Sequence, residues 1–380
     1  MEELIINNYP FFTGLKIHLS ENEIPKTFPM IIEYDEESNM IKQKYSKNIE
    51  NHLKKSYQVG SNISSNLGSG TFGYSRSEDV LKYLLMYLGN DISKKSFLEI
   101  GCADGYILNQ LLKRGAKDVL GCEPGLYEGI KKFKNVKILR DFYTPQKIKE
   151  KFDVILSLGV LEHIYNPKDF IKLQIKSLKK GGGLFFSVPN SENKLNLGDV
   201  KLLQHEHWNY FTKTSISNMF YDCGFNNISI TISDNDANIF VWAFKDNNII
   251  YKGERNKSEK YLFKKFCSKI NKSKIVLRKK IEAIIDKNYS IGFIGGGPEV
   301  IALLPYIENP RFFDNDVSKQ GKFIPGFLNP IEDPKNILKE RIDEIWICAT
   351  DYDDQISDGL KSILPNDVKI FSIKKMLLSI

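Results

Sequence analysis

At 380 residues the chain is too long for one small domain, and at roughly 150 residues per domain it suits two or three, each able to bury its own core. A composition of 42% hydrophobic and 27% charged residues says that the chain folds and little more, while the formal net charge of +7 suits an anionic partner such as a sugar nucleotide or a nucleic acid. The basic residues are scattered and no long basic arm is present, so the excess reads as a solvated surface.

Cys102, Cys122, Cys223, Cys267 and Cys348 form no C-x-x-C pair, which excludes a disulfide framework and a cysteine zinc site and implies a reducing compartment. The start, MEELIINNYPFFTGLKIHLS, lacks a basic stretch followed by a long apolar run. No segment approaches the ~20 apolar residues of a bilayer span. A cytoplasmic protein, with no membrane partner, is expected.

Along the chain, residues 1–75 alternate short apolar clusters with polar loops and read as an N-terminal cap. Its last part, GSNISSNLGSGTFGYS (Gly60–Ser75), has the composition of a loop able to close over a ligand. SEDVLKYLLMYLG predicts a helix capped at Ser77 and stopped at Gly89, with Val80, Leu81, Leu84, Leu85 and Leu88 on its apolar face. It opens a domain over 76–250 in which strand-like runs (SFLEI, DVLGCE, VKILR, FDVILSLG, GGLFFSVP, ISITIS, NIFVWAF) alternate with helical ones, the pattern of a sheet covered on both faces. Residues 251–288 are basic and amphipathic and predict one or two linking helices. From 289 to 380 the alternation restarts with IGFIGGGP, RFFDND, EIWICAT and VKIFSI, a second, smaller α/β domain.

The first strand of the larger domain runs into E-I-G-C-A-D-G, with Gly101 and Gly105 where backbone must turn tightly or approach a ligand. This is not the dinucleotide fingerprint G-x-G-x-x-G. The acid Glu99 at the strand end would repel a phosphate and favour a cation, such as a sulfonium bearing an ammonium group. Glu123 ends the second strand, where a carboxylate accepts the hydroxyls of a ribose, and Asp141 with Phe142 ends the third, a polar acceptor beside a ring suited to adenine.

The set E-I-G-x-x-D-G, the acid after the second strand, D-F after the third, F-D-x-I-x-x-x-x-V-L-E-H and L-K-x-G-G resembles the class I S-adenosylmethionine-dependent methyltransferases over Ser77–Lys245. The resemblance implies a Rossmann-like α/β sheet with S-adenosylmethionine held by Glu99, Gly101, Gly105, Glu123, Asp141 and Phe142. The later stretch QHEHWNYF resembles the H-E-H-x-x-Y-F segment of the sugar C-methyltransferases, and with K-Q-G-K-x-x-P-G and the Rossmann-like C-terminal domain it implies a nucleotide-linked sugar as acceptor, in polysaccharide biosynthesis, with no nucleic acid. It makes His207 the general base, for C-methylation of a ketosugar or for O-methylation, and Glu206 and Tyr210 substrate-orienting groups; His163 of VLEH is the next candidate base. The cysteine-rich zinc domain that begins those enzymes has no counterpart here, since residues 1–75 contain no cysteine.

No metal is expected, because His205 and His207 lack a third ligand within reach in sequence and the H-E-x-x-H spacing. Gly295, Gly296, Gly297 and the following Asp314 offer a lone glycine turn and a ribose acceptor. An NAD-dependent oxidoreductase built on that turn lacks the spaced glycines, and a non-catalytic binding protein would have no need of intact motifs.

Overall fold

The computed structural model describes residues 3–11, 27–58, 72–125, 133–244, 258–287, 289–304, 307, 310–317, 319–324, 326–339 and 342–380. Of the expected lid loop Gly60–Ser75, residues 60–71 lie outside them, and 72–75 begin the helix Phe72–Leu88. The chain divides into two compact units, each assembled from separated segments. One comprises Asp35–Glu192 with Glu206–Glu259, the other Met1–Tyr34, Asn193–His205 and Lys260–Ile380. These limits differ from boundaries at 75, 250 and 288: the first 34 residues group with the C-terminal region instead of forming a cap of their own.

In the first unit seven strands form one sheet: β1 (Ser96–Ile100), β2 (Asp118–Cys122), β3 (Lys137–Leu139), β4 (Phe152–Leu158), β5 (Leu178–Pro189), β6 (Asn227–Ile232) and β7 (Asn238–Phe244), in the order β6-β7-β5-β4-β1-β2-β3. Strands β1 to β5 pair in parallel, and β7 is antiparallel to both β5 and β6. Successive side chains leave opposite faces, and both faces are apolar because both are covered. In β1, Phe97 enters one core cluster while Leu98 and Ile100 enter the other; in β4, Val154 and Leu156 oppose Ile155. The chain leaves β1 toward β2 on one side and returns to β4 on the other, so the carboxyl ends of β1 and β4 flank the switch point where such sheets bind ligands.

Local differences from the sequence reading have physical causes. The helix over Phe72–Leu88 starts before Ser77, which is buried inside it, while Gly89 does take the left-handed stop at φ +76°. Lys179–Gly183 belongs to β5, where the register against β4 slips between the pairs Phe152–Leu178 and Val154–Gly183. Gly183 is required there: a Cβ would sit 2.2 Å from the Trp242 ring.

In the second unit β8 (Ile291–Ile294), β9 (Arg311–Phe313), β10 (Ile331–Glu332), β11 (Glu344–Ile347) and β12 (Lys369–Ser372) form a parallel sheet in the order β10-β9-β8-β11-β12. Glu3–Pro10 pairs antiparallel with the strand Thr27–Asp35. The Tyr9 hydroxyl shares its one hydrogen between the carbonyls of Leu203, at 2.7 Å, and Val200, at 3.0 Å, fastening the segment 193–205 to the strand Glu3–Pro10. The basic stretch forms one helix of 29 residues, Ser258–Asp286. Among the described residues no helix is long and apolar enough to cross a membrane.

Candidate active site

The turn after β1 brings three carboxylates together. Gly101 (φ +76°), Ala103 (φ +47°) and Gly105 (φ +83°) are all left-handed, and the Gly101 N–H donates to the Cys122 carbonyl at 2.8 Å, closing the turn onto β2. At Gly101 a Cβ would lie 2.5 Å from Val160 Cγ2, so glycine serves both conformation and space. Ala103 tolerates its strained φ because its N–H donates to Glu123 Oε2 at 3.1 Å. The other oxygen of Glu123 accepts from the Gly125 N–H at 2.9 Å. Glu123 thus supports the turn, and each of its oxygens keeps a second lone pair.

Glu99 and Asp104 are buried beside it, at 3% and 0% exposure, and Glu99 Oε2 has no hydrogen-bond partner. Burial, then the charges of Asp104 and Glu123, hold the Glu99 carboxyl well above its usual range. Burial raises Glu123 also, against the pull of its two backbone donors. Such a site is poised for a cation. Asp141 and Phe142 lie at the end of β3 but are exposed, Asp141 being ion-paired with Lys147 and accepting from the Phe142 N–H at 2.7 Å. The structure brings Glu99, Gly101, Gly105 and Glu123 together and leaves Asp141 and Phe142 at the rim.

A second cluster stands after β4. There Leu161–His163 forms a single 3-10 turn, and the Trp208 N–H donates to the Glu162 carbonyl at 2.8 Å, fastening the segment that carries His207. His163 Nδ1 is 3.0 Å from the Glu206 carbonyl, its Nε2 is 3.9 Å from Glu162 Oε1, and the His163 and His207 rings meet edge to face at 4.9 Å. His207 keeps only a small window to solvent. Burial, reinforced by His163 and by Arg76, pushes its ring well below the ordinary histidine range, so it is neutral with a lone pair to offer. Glu162 is 3% exposed, with its carboxyl raised by burial against the pull of His163 and Arg76.

Glu162 and Arg76 were not singled out by the sequence reading. The signal for the first was the acid of VLEH itself; Arg76, inside the helix Phe72–Leu88, gave none. Glu206 contributes to this group through its main-chain carbonyl. Tyr210 is 1% exposed and pairs with Ile41 in a short antiparallel ladder. His205 and His207, close in sequence, do not share one site. The chain turns at His205–Glu206, and His205 belongs to the other unit, packed on Tyr9, Phe11 and Phe28 with ring separations of 5.7, 5.3 and 6.2 Å. The expectation of no metal rested on that histidine pair; a grouping of metal-binding character is made instead by Glu162, His163 and His207.

In the second unit Gly295, Gly296 and Gly297 are all left-handed and, with Asp314, lie at the carboxyl ends of β8 and β9. Gly295, Gly296 and Asp314 line a cavity of about 660 Å³. The Lys201 Nζ donates to the Gly295 carbonyl at 2.7 Å, and Asp314 is ion-paired with Lys319 at 2.9 Å.

Residues 72–230 match a family model described as a methyltransferase domain. Over 134 residues the chain is 31% identical to a tRNA U34 carboxymethyltransferase of Helicobacter acinonychis, covering 32% of this chain and 51% of that protein. The corresponding enzyme of Hydrogenovibrio crunogenus is 28% identical over 156 residues, 37% of this chain and 47% of its own. The chain therefore spans about half the length of the curated relatives it matches. Among solved structures, magnesium protoporphyrin IX methyltransferase from Synechocystis with bound S-adenosylhomocysteine aligns at 16% identity and a TM-score of 0.36, covering 47% of this chain and 90% of that one. The matched residues 72–230 take in most of the seven-stranded α/β sheet of the first unit, from the helix Phe72–Leu88 into β6. The relatives overturn one expectation: they are named for tRNA, which conflicts with a nucleotide-sugar partner and with the exclusion of nucleic acid.

Proposed function

We propose that the chain transfers a methyl group from S-adenosylmethionine to a nucleophile placed against Glu162, His163 and His207. The observation that carries the reading is the left-handed turn ringed by Glu99, Asp104 and Glu123. The donor is a cation at both sulfur and ammonium, and a buried acidic site compensates that charge where a phosphate would be repelled. Glu123 receives the ribose hydroxyls, and Phe142 with Asp141 offers a face and an acceptor to the adenine. In the transfer the acceptor's lone pair forms the new bond to the methyl carbon while the carbon–sulfur bond breaks and sulfur keeps the pair. The protein supplies mainly alignment, and His207 supplies the lone pair that draws off the acceptor's proton. For the acceptor, the tRNA named for the relatives is taken as the first class, a polyanion suited to a chain of net charge +7.

Calorimetry with S-adenosylhomocysteine tests the donor half. Glu123→Ala should weaken binding about ten-fold or more, from the loss of hydrogen bonds to a charged group worth roughly 1.5–3 kcal/mol. An unchanged dissociation constant in a variant with a wild-type melting profile would remove Glu123 from the donor site. Release of S-adenosylhomocysteine on addition of bulk tRNA, compared with a panel of small nucleophiles, tests the acceptor class.

A further inference from the structure

We infer that Glu162, His163 and His207 bind a divalent transition-metal ion, with the open side of the ion turned to the acceptor. The inference rests on the reading of this group as the acceptor end of a methyltransferase and names what its lone pairs hold. One ligand atom from each residue lies within 4.8 Å of the other two. Ligands around a zinc ion at ~2.1 Å are separated by roughly 3.4 Å, so the group must draw in by no more than about 1.4 Å between any two ligand atoms.

The orientation of the donors is already set. His163 Nδ1 faces the Glu206 carbonyl at 3.0 Å and carries a hydrogen, so in the neutral ring the lone pair falls on Nε2, the nitrogen turned toward Glu162. A histidine that gives its other N–H to a main-chain carbonyl is the usual support of a metal ligand. Glu162 is 3% exposed and its Oε2 has no hydrogen-bond partner, an arrangement costly for a carboxylate unless a cation meets it. Arg76 bears on the same group through its charge at Glu162 and His207, and is the competing source of compensation.

Two imidazoles and one carboxylate suit zinc, cobalt, iron(II) or nickel, not magnesium or calcium, which take oxygen ligands. Three protein ligands leave a position free, as in sites that act on a bound molecule and unlike closed structural sites. An acceptor atom bound there would be made more acidic, so that the proton which His207 would otherwise take is lost to water.

The test uses the untagged full chain after dialysis against a chelator. Titration with Co²⁺ should give visible d–d absorption that saturates at one equivalent and is displaced by Zn²⁺. Glu162→Gln, which keeps the shape of the side chain, and His207→Ala should each weaken Co²⁺ binding at least ten-fold. S-adenosylhomocysteine affinity, measured on the same samples, reports folding and the donor site separately. If the wild-type chain takes up no stoichiometric Co²⁺, or both variants bind it as well as wild type, the metal site is overturned, Glu162 is compensated by Arg76, and His207 remains a simple base. If Co²⁺ binds as expected but S-adenosylhomocysteine does not, the donor reading falls and the metal site stands.

Discussion

His207→Ala should lower turnover by about 10²–10⁴-fold, the contribution of a positioned proton-transfer group, with the loss in kcat and the affinity for S-adenosylhomocysteine unchanged within about two-fold. The two effects separate because the donor turn, Gly101–Gly105, and the segment carrying His207 are different parts of the first unit. His207 meets its neighbours through the His163 ring and through the Trp208 N–H on the Glu162 carbonyl. Truncation to alanine leaves the main-chain bond in place, so the variant should fold. Single-turnover measurement with saturating acceptor, tRNA first, isolates the chemical step. A folded variant that turns over like wild type would place the acceptor chemistry elsewhere in the crevice.

Its neighbour two residues earlier should affect stability and not catalysis. Burial depresses the ring of His205 to about 4 from 6.5, with hydrogen bonds to the main chain of Phe28 and Tyr9 opposing it only in part. The folded state therefore resists a proton that the unfolded state accepts. The stabilising contribution is whole above about pH 6.5, falls as the pH drops through that value, and is lost by about pH 4. At ~1.4 kcal/mol per pH unit the loss is on the order of 3 kcal/mol. Amide exchange in residues 3–11 and 27–34 should accelerate between pH 6.5 and 4.5, after correction for intrinsic rates. His205→Phe, which keeps an aromatic ring and removes the titration, should flatten that dependence. If wild type and His205→Phe respond alike to acid, the buried imidazole is not the cause.

Much of the first unit was legible because its strands are short apolar runs between turn residues, and all of the strands β1 to β7 fall on runs recognisable in sequence. The donor turn was legible because left-handed backbone leaves glycines behind it. What was hidden depended on contacts that composition does not record. The strand Glu3–Pro10 was obscured because Asn8 adopts φ +55° and shifts the register between Ile6 and Tyr9, breaking the alternation of apolar residues. Nothing in QHEHW marks the turn at His205–Glu206 that puts its two histidines into separate units. Glu162 was passed over because an acid in a short turn is ordinarily solvated; only its burial marks it out.

The interleaving of the units also fixes an order of events during synthesis. Leu4, Ile6, Tyr9, Phe11, Met30 and Ile32 leave the ribosome well before the rest of their unit, which is completed only by Asn193–His205 and by the residues from Lys260 onward. At about 5–20 residues per second, roughly 10–50 s pass between the emergence of Tyr34 and that of Lys260. Throughout that interval an apolar strand pair has no finished core to enter, while the domain downstream of it is made and closes its own sheet. The newborn chain must therefore be kept from pairing with others by chaperones or by speed, and its yield should depend on translation rate more steeply than its final stability would suggest.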